Sequence, residues 1–196
     1  AYAYVVIRRE GGAVSLEALA ARFPYVFFLV SLGTVYFLLI WTERRMDTDS
    51  RYTLLRLRTG GRSQFLIRAA YNVLCLVLLY GVHVWLAIGI AWLYGRSLEP
   101  GQASPQLLFL AFYRIGFFHG LLPLAETGKW IRNVLLVLAL GMAAAGGMDR
   151  KDRVAQMLLL AVGAGCFASP VGLYFPDVLC CIVSAVEIAL GLREGH

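Results

Sequence analysis

Residues 41–71, WTERRMDTDSRYTLLRLRTGGRSQFLIRAAY, are the one long polar segment of the chain and lie between two hydrophobic runs. Seven arginines (Arg44, Arg45, Arg51, Arg56, Arg58, Arg62, Arg68) stand there against three acids (Glu43, Asp47, Asp49). The segment thus carries +4 of the formal +6 of the 196 residues. Its flanks decide the fold class. Residues 24–41 (PYVFFLVSLGTVYFLLIW) hold no charge, and residues 69–95 continue apolar for 27 more. A helix crossing a bilayer needs about 20 apolar residues, so each run suffices for one span. The second is long enough to tilt or project.

The totals agree with the flanks. The chain is 60% hydrophobic and 15% charged, with a mean hydropathy of +0.70. Soluble domains average about 45–50% apolar and about 25% charged residues. A 21.6 kDa domain has too little interior to hide the difference, so lipid must cover it. A transmembrane barrel would alternate in segments of about ten residues, which these continuous runs do not. The expected fold class is therefore all-α: a polytopic helical membrane protein of about five to six membrane segments, one of them re-entrant.

In such a protein the arginine excess sets orientation and meets anionic headgroups. Nucleic acid is not an expected partner. The positive-inside rule puts the loop 42–70 in the cytoplasm of a cell-membrane protein, with residues 1–23 and 96–105 outside. Cys75, Cys166, Cys180 and Cys181 lie in apolar runs without CxxC or metal spacing, so they read as small packing residues. No metal site is expected.

Three parts follow in order. Residues 1–23 form an extracytoplasmic or interfacial segment, the tail of a preceding helix, with an amphipathic helix over 12–23 capped by Ser15. Residues 24–192 form a single transmembrane domain, and 193–196 a tail. Within the domain, spans are expected from Pro24 to Trp41 and Ala69 to Gly95. Another runs from Gln106 to Leu124, interrupted by Arg114, His119 and Pro123. ETGKWIR (126–132) is a polar link to Asn133–Met148, and 154–192 is split by Ser169-Pro170 and Pro176-Asp177. The side of DRKDR (149–153) depends on whether 106–124 crosses or re-enters. Crossing leaves Pro170–Pro176 to re-enter, and is the preferred arrangement.

Few residues could carry chemistry inside the membrane. Arg114 needs a partner or water at that depth, and Glu187 is the candidate, as a structural pair or as part of a translocation path. His83 and His119 have no acid or histidine three or four residues away, so each reads as a hydrogen-bonded core histidine. The serines and cysteines lack a nucleophile context. Small residues over 141–147 (GMAAAGG) favour close helix packing. No GxxxxGK[ST] motif is present, so ATP-driven work would need another polypeptide.

The arginine segment resembles the cytoplasmic loop of type-2 ABC exporter permeases, written E-R-x-x-G-T-L-x-x-L-L-x-x-P-[VI]-S-R-x-x-x-L-x-x-K. The matching residues are Glu43, Arg44, Thr53, Leu54, Leu55, Leu57, Arg62, Leu66 and Arg68. Gly60-Gly61 stands where the family has Pro and Ser, and the spacing from Glu43 to Thr53 is longer. The resemblance implies that Arg51, Thr53, Leu54, Leu55, Arg56, Leu57 and Arg58 form a coupling helix docking on a separate ATPase. Arg44, Arg45, Arg62 and Arg68 would then form a basic collar at the headgroups. It further implies no cofactor on this chain (ATP and Mg on the partner), a second permease copy or homologue, and a hydrophobic or peptide-like cargo. The alternative is a non-catalytic membrane scaffold whose spans pack on a larger complex. A membrane-embedded enzyme using His83 or His119 stands behind both.

Overall fold

The computed structural model describes residues 16–49, 61–97, 106–124, 126–146, 150–168 and 175–194, which are helical apart from short links. The two runs flanking the arginine segment each form one helix: α1, Leu16–Asp49, and α2, Gly61–Ser97. Where lipid covers a chain, each backbone N–H and C=O needs a partner within its own segment, which favours helix. At 1.5 Å per residue, their 34 and 37 residues extend about 51 and about 55 Å.

Pro24 does not divide the interfacial segment from the first span, as the sequence suggests. It lies inside α1, which is continuous from Leu16. A proline removes one ladder bond and bends a helix, and the uncharged residues that follow keep this one helical. Ser15, the expected cap, lies outside the described residues.

The second half of the chain is broken more finely. The expected span over 106–124 is two short helices, α3, Gln106–Arg114, and α4, Gly116–Leu121, parted by the extended backbone of Ile115. With nine and six residues they reach about 14 and about 9 Å, less than a crossing. Then come α5, Thr127–Ala145, α6, Arg150–Ala168, and α7, Phe175–Glu194. The expected polar link 126–132 is thus almost wholly the first turns of α5. Pro176 falls in the first turn of α7, where its missing N–H costs no bond, so it opens that helix. Among the described residues, three helices are long and apolar enough to cross a membrane: Pro24–Glu43 within α1, Arg62–Arg96 within α2, and α5.

α5 is the central element, packed chiefly on α2 and α7. Phe28, Leu32, Tyr36 and Leu39 form one stripe along α1 and join Leu76, Ala87 and Ala91 of α2 and Leu136, Ala139 and Leu140 of α5. Outward positions such as Phe37, Trp85, Met157 and Val178 are apolar and exposed, as lipid contact requires. At Gly141 the small-residue stretch allows direct backbone approach: a Cβ there would stand 3.0 Å from the Val73 nitrogen. Asn133 meets Tyr80 while Gly141 meets Val73, so α5 runs antiparallel to α2.

Candidate functional site

Four helix ends converge beside Tyr80, halfway along α2. They are the C-termini of α4 and α6 and the N-termini of α5 and α7. Helix ends leave carbonyls and N–H groups without intrahelical partners, and away from water something must supply them. Here Arg132, 1% exposed, supplies most. Its Nη2 donates to the Gly120 carbonyl at 3.1 Å and its Nη1 reaches the Cys166 carbonyl at 3.4 Å, both in last helical turns. Nη1 also forms the ion pair with Asp177 Oδ1. Nε and Nη2 donate to Asn133 Oδ1 at 3.0 and 2.7 Å. These contacts engage all five guanidinium donors, which a lysine could not do.

The charges match the helix ends they meet. The cation sits at two C-termini and Asp177 in the first turn of α7, each the favoured sign for the local dipole. Asn133 Nδ2 donates to Gly120 O at 2.9 Å and to Tyr80 Oη at 3.0 Å, and Tyr80 Oη donates to the Leu121 carbonyl. The Phe167 ring lies 5.2 Å from the guanidinium carbon. Two buried atoms of this neighbourhood have no hydrogen-bond partner, Asp177 Oδ2 and His119 Nδ1.

A second charged group adjoins the first through His119, the residue before Gly120. Its Nε2 donates to Glu126 Oε1 at 3.2 Å, and Lys129 Nζ meets Glu126 Oε2 at 3.0 Å. Glu126 thus holds His119 with one carboxylate oxygen and Lys129 with the other. Lys129 and Arg132, expected in a polar link between spans, are therefore buried partners. Their signal was the i,i+3 spacing of Glu126, Lys129 and Arg132 leading straight into an apolar run. Asp177, in another segment, offered no such cue.

His83 is held as the sequence suggests for a core histidine. Nδ1 donates to Leu79 O at 2.8 Å, Nε2 faces Ser31 Oγ at 2.9 Å, and Phe27 and Phe28 flank the ring. Among the described residues no group of three or more His, Cys, Asp or Glu is placed to hold a metal ion.

At the base of the arginine segment, Glu43 and Arg68 meet at 3.5 Å, and Asn72 Nδ2 reaches Glu43 at 3.5 Å. Arg68 is thus turned toward α1. Arg62 is exposed at the start of α2, and Arg45 lies over the Trp41 ring at 4.6 Å. Arg44 is in α1, but its side chain lies outside the described residues, as does the whole of Arg51, Thr53, Leu54, Leu55, Arg56, Leu57 and Arg58. Arg114 ends α3 with its side chain likewise outside them, so its pairing with Glu187 is not described. Glu187, on α7, is half-buried within electrostatic reach of Tyr36. The chain matches no known family model, no curated protein and no solved structure.

Proposed function

We propose that this chain is the membrane-spanning permease subunit of an ATP-driven ABC exporter, coupling a separate ATPase to movement of a hydrophobic or peptide-like substrate. The observation that carries the reading is the Glu43–Arg68 contact. These residues match the first and last positions of the permease pattern, and their pairing clasps α1 to α2 at the base of the loop between them. A docking element on such a clasped hairpin passes a push into both helices rather than flexing alone. The leucine-and-arginine sequence pattern of 51–58 suits a partner surface with an apolar cleft and an acidic rim.

Two tryptophan–arginine pairs support a membrane frame for the hairpin. Arg45 stacks over Trp41, and Arg96 over Trp92 at 3.9 Å. Aromatic rings favour the headgroup level, and long basic side chains reach out from it. From Asn72, which faces Glu43, to Trp92 is 20 residues of helix, about 30 Å, the thickness of a hydrocarbon core. In this frame Tyr80 and the converging helix ends lie near mid-membrane. Broken helices are tolerated at that depth only inside protein, and transporters place their working sites among them. The finer layout of the reading is five to six segments with one re-entrant, the 42–70 loop cytoplasmic, and a second permease copy or homologue.

The test is purification of the tagged chain from its own membranes. Recovery of a P-loop ATPase whose turnover this subunit alters is expected. Leu54→Asp with Leu57→Asp should remove both the association and the altered turnover. Retention of both by that double variant would sink the docking assignment, and a wild-type chain that recovers no ATPase would favour the scaffold alternative.

A further inference from the structure

We propose that Arg132 is a releasable latch joining α4, α5, α6 and α7, and that Tyr80 is the positioning residue through which movement of α2 reaches it. The inference rests on the exporter reading only for what moves α2; the latch itself stands on geometry.

First, the connection is continuous. Tyr80 Oη on α2 touches the Leu121 carbonyl in the last turn of α4 and Asn133 Nδ2 on α5. Asn133 Oδ1 holds Arg132, and Arg132 holds Asp177 of α7 and the carbonyls of Gly120 and Cys166. A shift of α2 relative to α5 stretches this chain of bonds at its Tyr80–Asn133 link. Second, there is slack for such a shift. A cavity of about 20 Å³, lined by Leu76, Tyr80, Asn133, Leu136 and Phe167 among others, lies among α1, α2, α5 and α6 at this level. That volume is about one water.

Third, the arrangement is incompletely satisfied in a directional way. Arg132 has no donor to spare, whereas Asp177 uses one carboxylate oxygen and leaves Oδ2 buried without a partner. His119 Nδ1, adjoining Gly120, is likewise buried and unpartnered. Buried polar atoms are seldom left unpaired, and both of these can accept a further hydrogen bond. A two-pronged Arg132–Asp177 contact would give Oδ2 a donor, but only by withdrawing one from the Gly120 or Cys166 carbonyl or from Asn133. α7 thus competes with α4 and α6 for one guanidinium. Such competition makes an element with two discrete arrangements, which coupling between distant sites requires.

The test uses the full chain in lipid nanodiscs, with hydrogen exchange read by mass spectrometry and no ATPase present. Asp177→Asn should raise exchange about tenfold, together, in peptides covering 116–135 and 175–186, with 84–96 unchanged. Tyr80→Phe, which removes only a hydroxyl, should raise exchange in 175–186, which it reaches through Asn133 and Arg132. A merely local role for Tyr80 would alter only peptides around 80 and 121, and that result overturns its positioning role. If Asp177→Asn fails to insert, Arg132→Lys keeps the charge with fewer donors and should loosen the same two peptides. Unchanged exchange in 116–135 for whichever variant folds overturns the latch. Failure to recover an ATPase in the separate purification would remove the exporter reading and leave this result untouched.

Discussion

Replacing Arg132 by methionine, which keeps most of the stem volume and removes the charge, is the sharpest probe of the helix-end cluster. The variant leaves Asp177, 8% exposed, without its ion-pair partner, and the Cys166 carbonyl without the guanidinium. Gly120 keeps its donor from Asn133. Removing one partner of a buried pair typically costs about 3–5 kcal/mol, because the survivor is an uncompensated buried charge. In a chain of this size, about 1 kcal/mol moves Tm by roughly 2–4 °C, so a fall of about 10 °C is expected. The double variant Arg132→Met with Asp177→Leu removes both charges and should recover much of that. It should stop short of wild type, because an unsatisfied carbonyl still costs about 1–3 kcal/mol. The assay is thermal unfolding of detergent-solubilised protein followed by tryptophan fluorescence, with the two single variants completing the cycle. A fall under about 3 °C for Arg132→Met, or a double variant no better than the worse single, would refute the buried pair as the tie between α5 and α7.

Gly141→Ala should destabilise by about 1–3 kcal/mol because the new Cβ meets the Val73 backbone. Gly163→Ala, which meets only movable Leu136 methyls, should cost under about 1 kcal/mol in the same thermal assay. Swapping Glu43→Arg with Arg68→Glu should preserve the clasp, whereas either single change should weaken it. Cross-linking between cysteines placed at Thr42 and Ala69 reads the difference, and equal yields in all three proteins would count against the clasp.

The class of protein and the hairpin around the arginine segment were legible in the sequence, because uncharged runs of spanning length leave helix as the form that satisfies the backbone in lipid. The close approach at Gly141 and the buried, bonded state of His83 were legible for similar local reasons: one needs only a missing side chain, the other only a lone imidazole in an apolar run. The sequence marked an interruption at Arg114 but not the extended Ile115 after it, since a lone glycine such as Gly116 is tolerated within a helix. Lys129 and Arg132 were misplaced by the sequence for another reason. A charge beside an apolar run reads as solvated unless its partner is visible, and Asp177 is 45 residues from Arg132. Composition and periodicity determine that this chain is helical, with apolar runs long enough to cross a bilayer. Only the tertiary structure decides that four broken helix ends share one arginine, because unsatisfied carbonyls exist only once the helices have ended and come together.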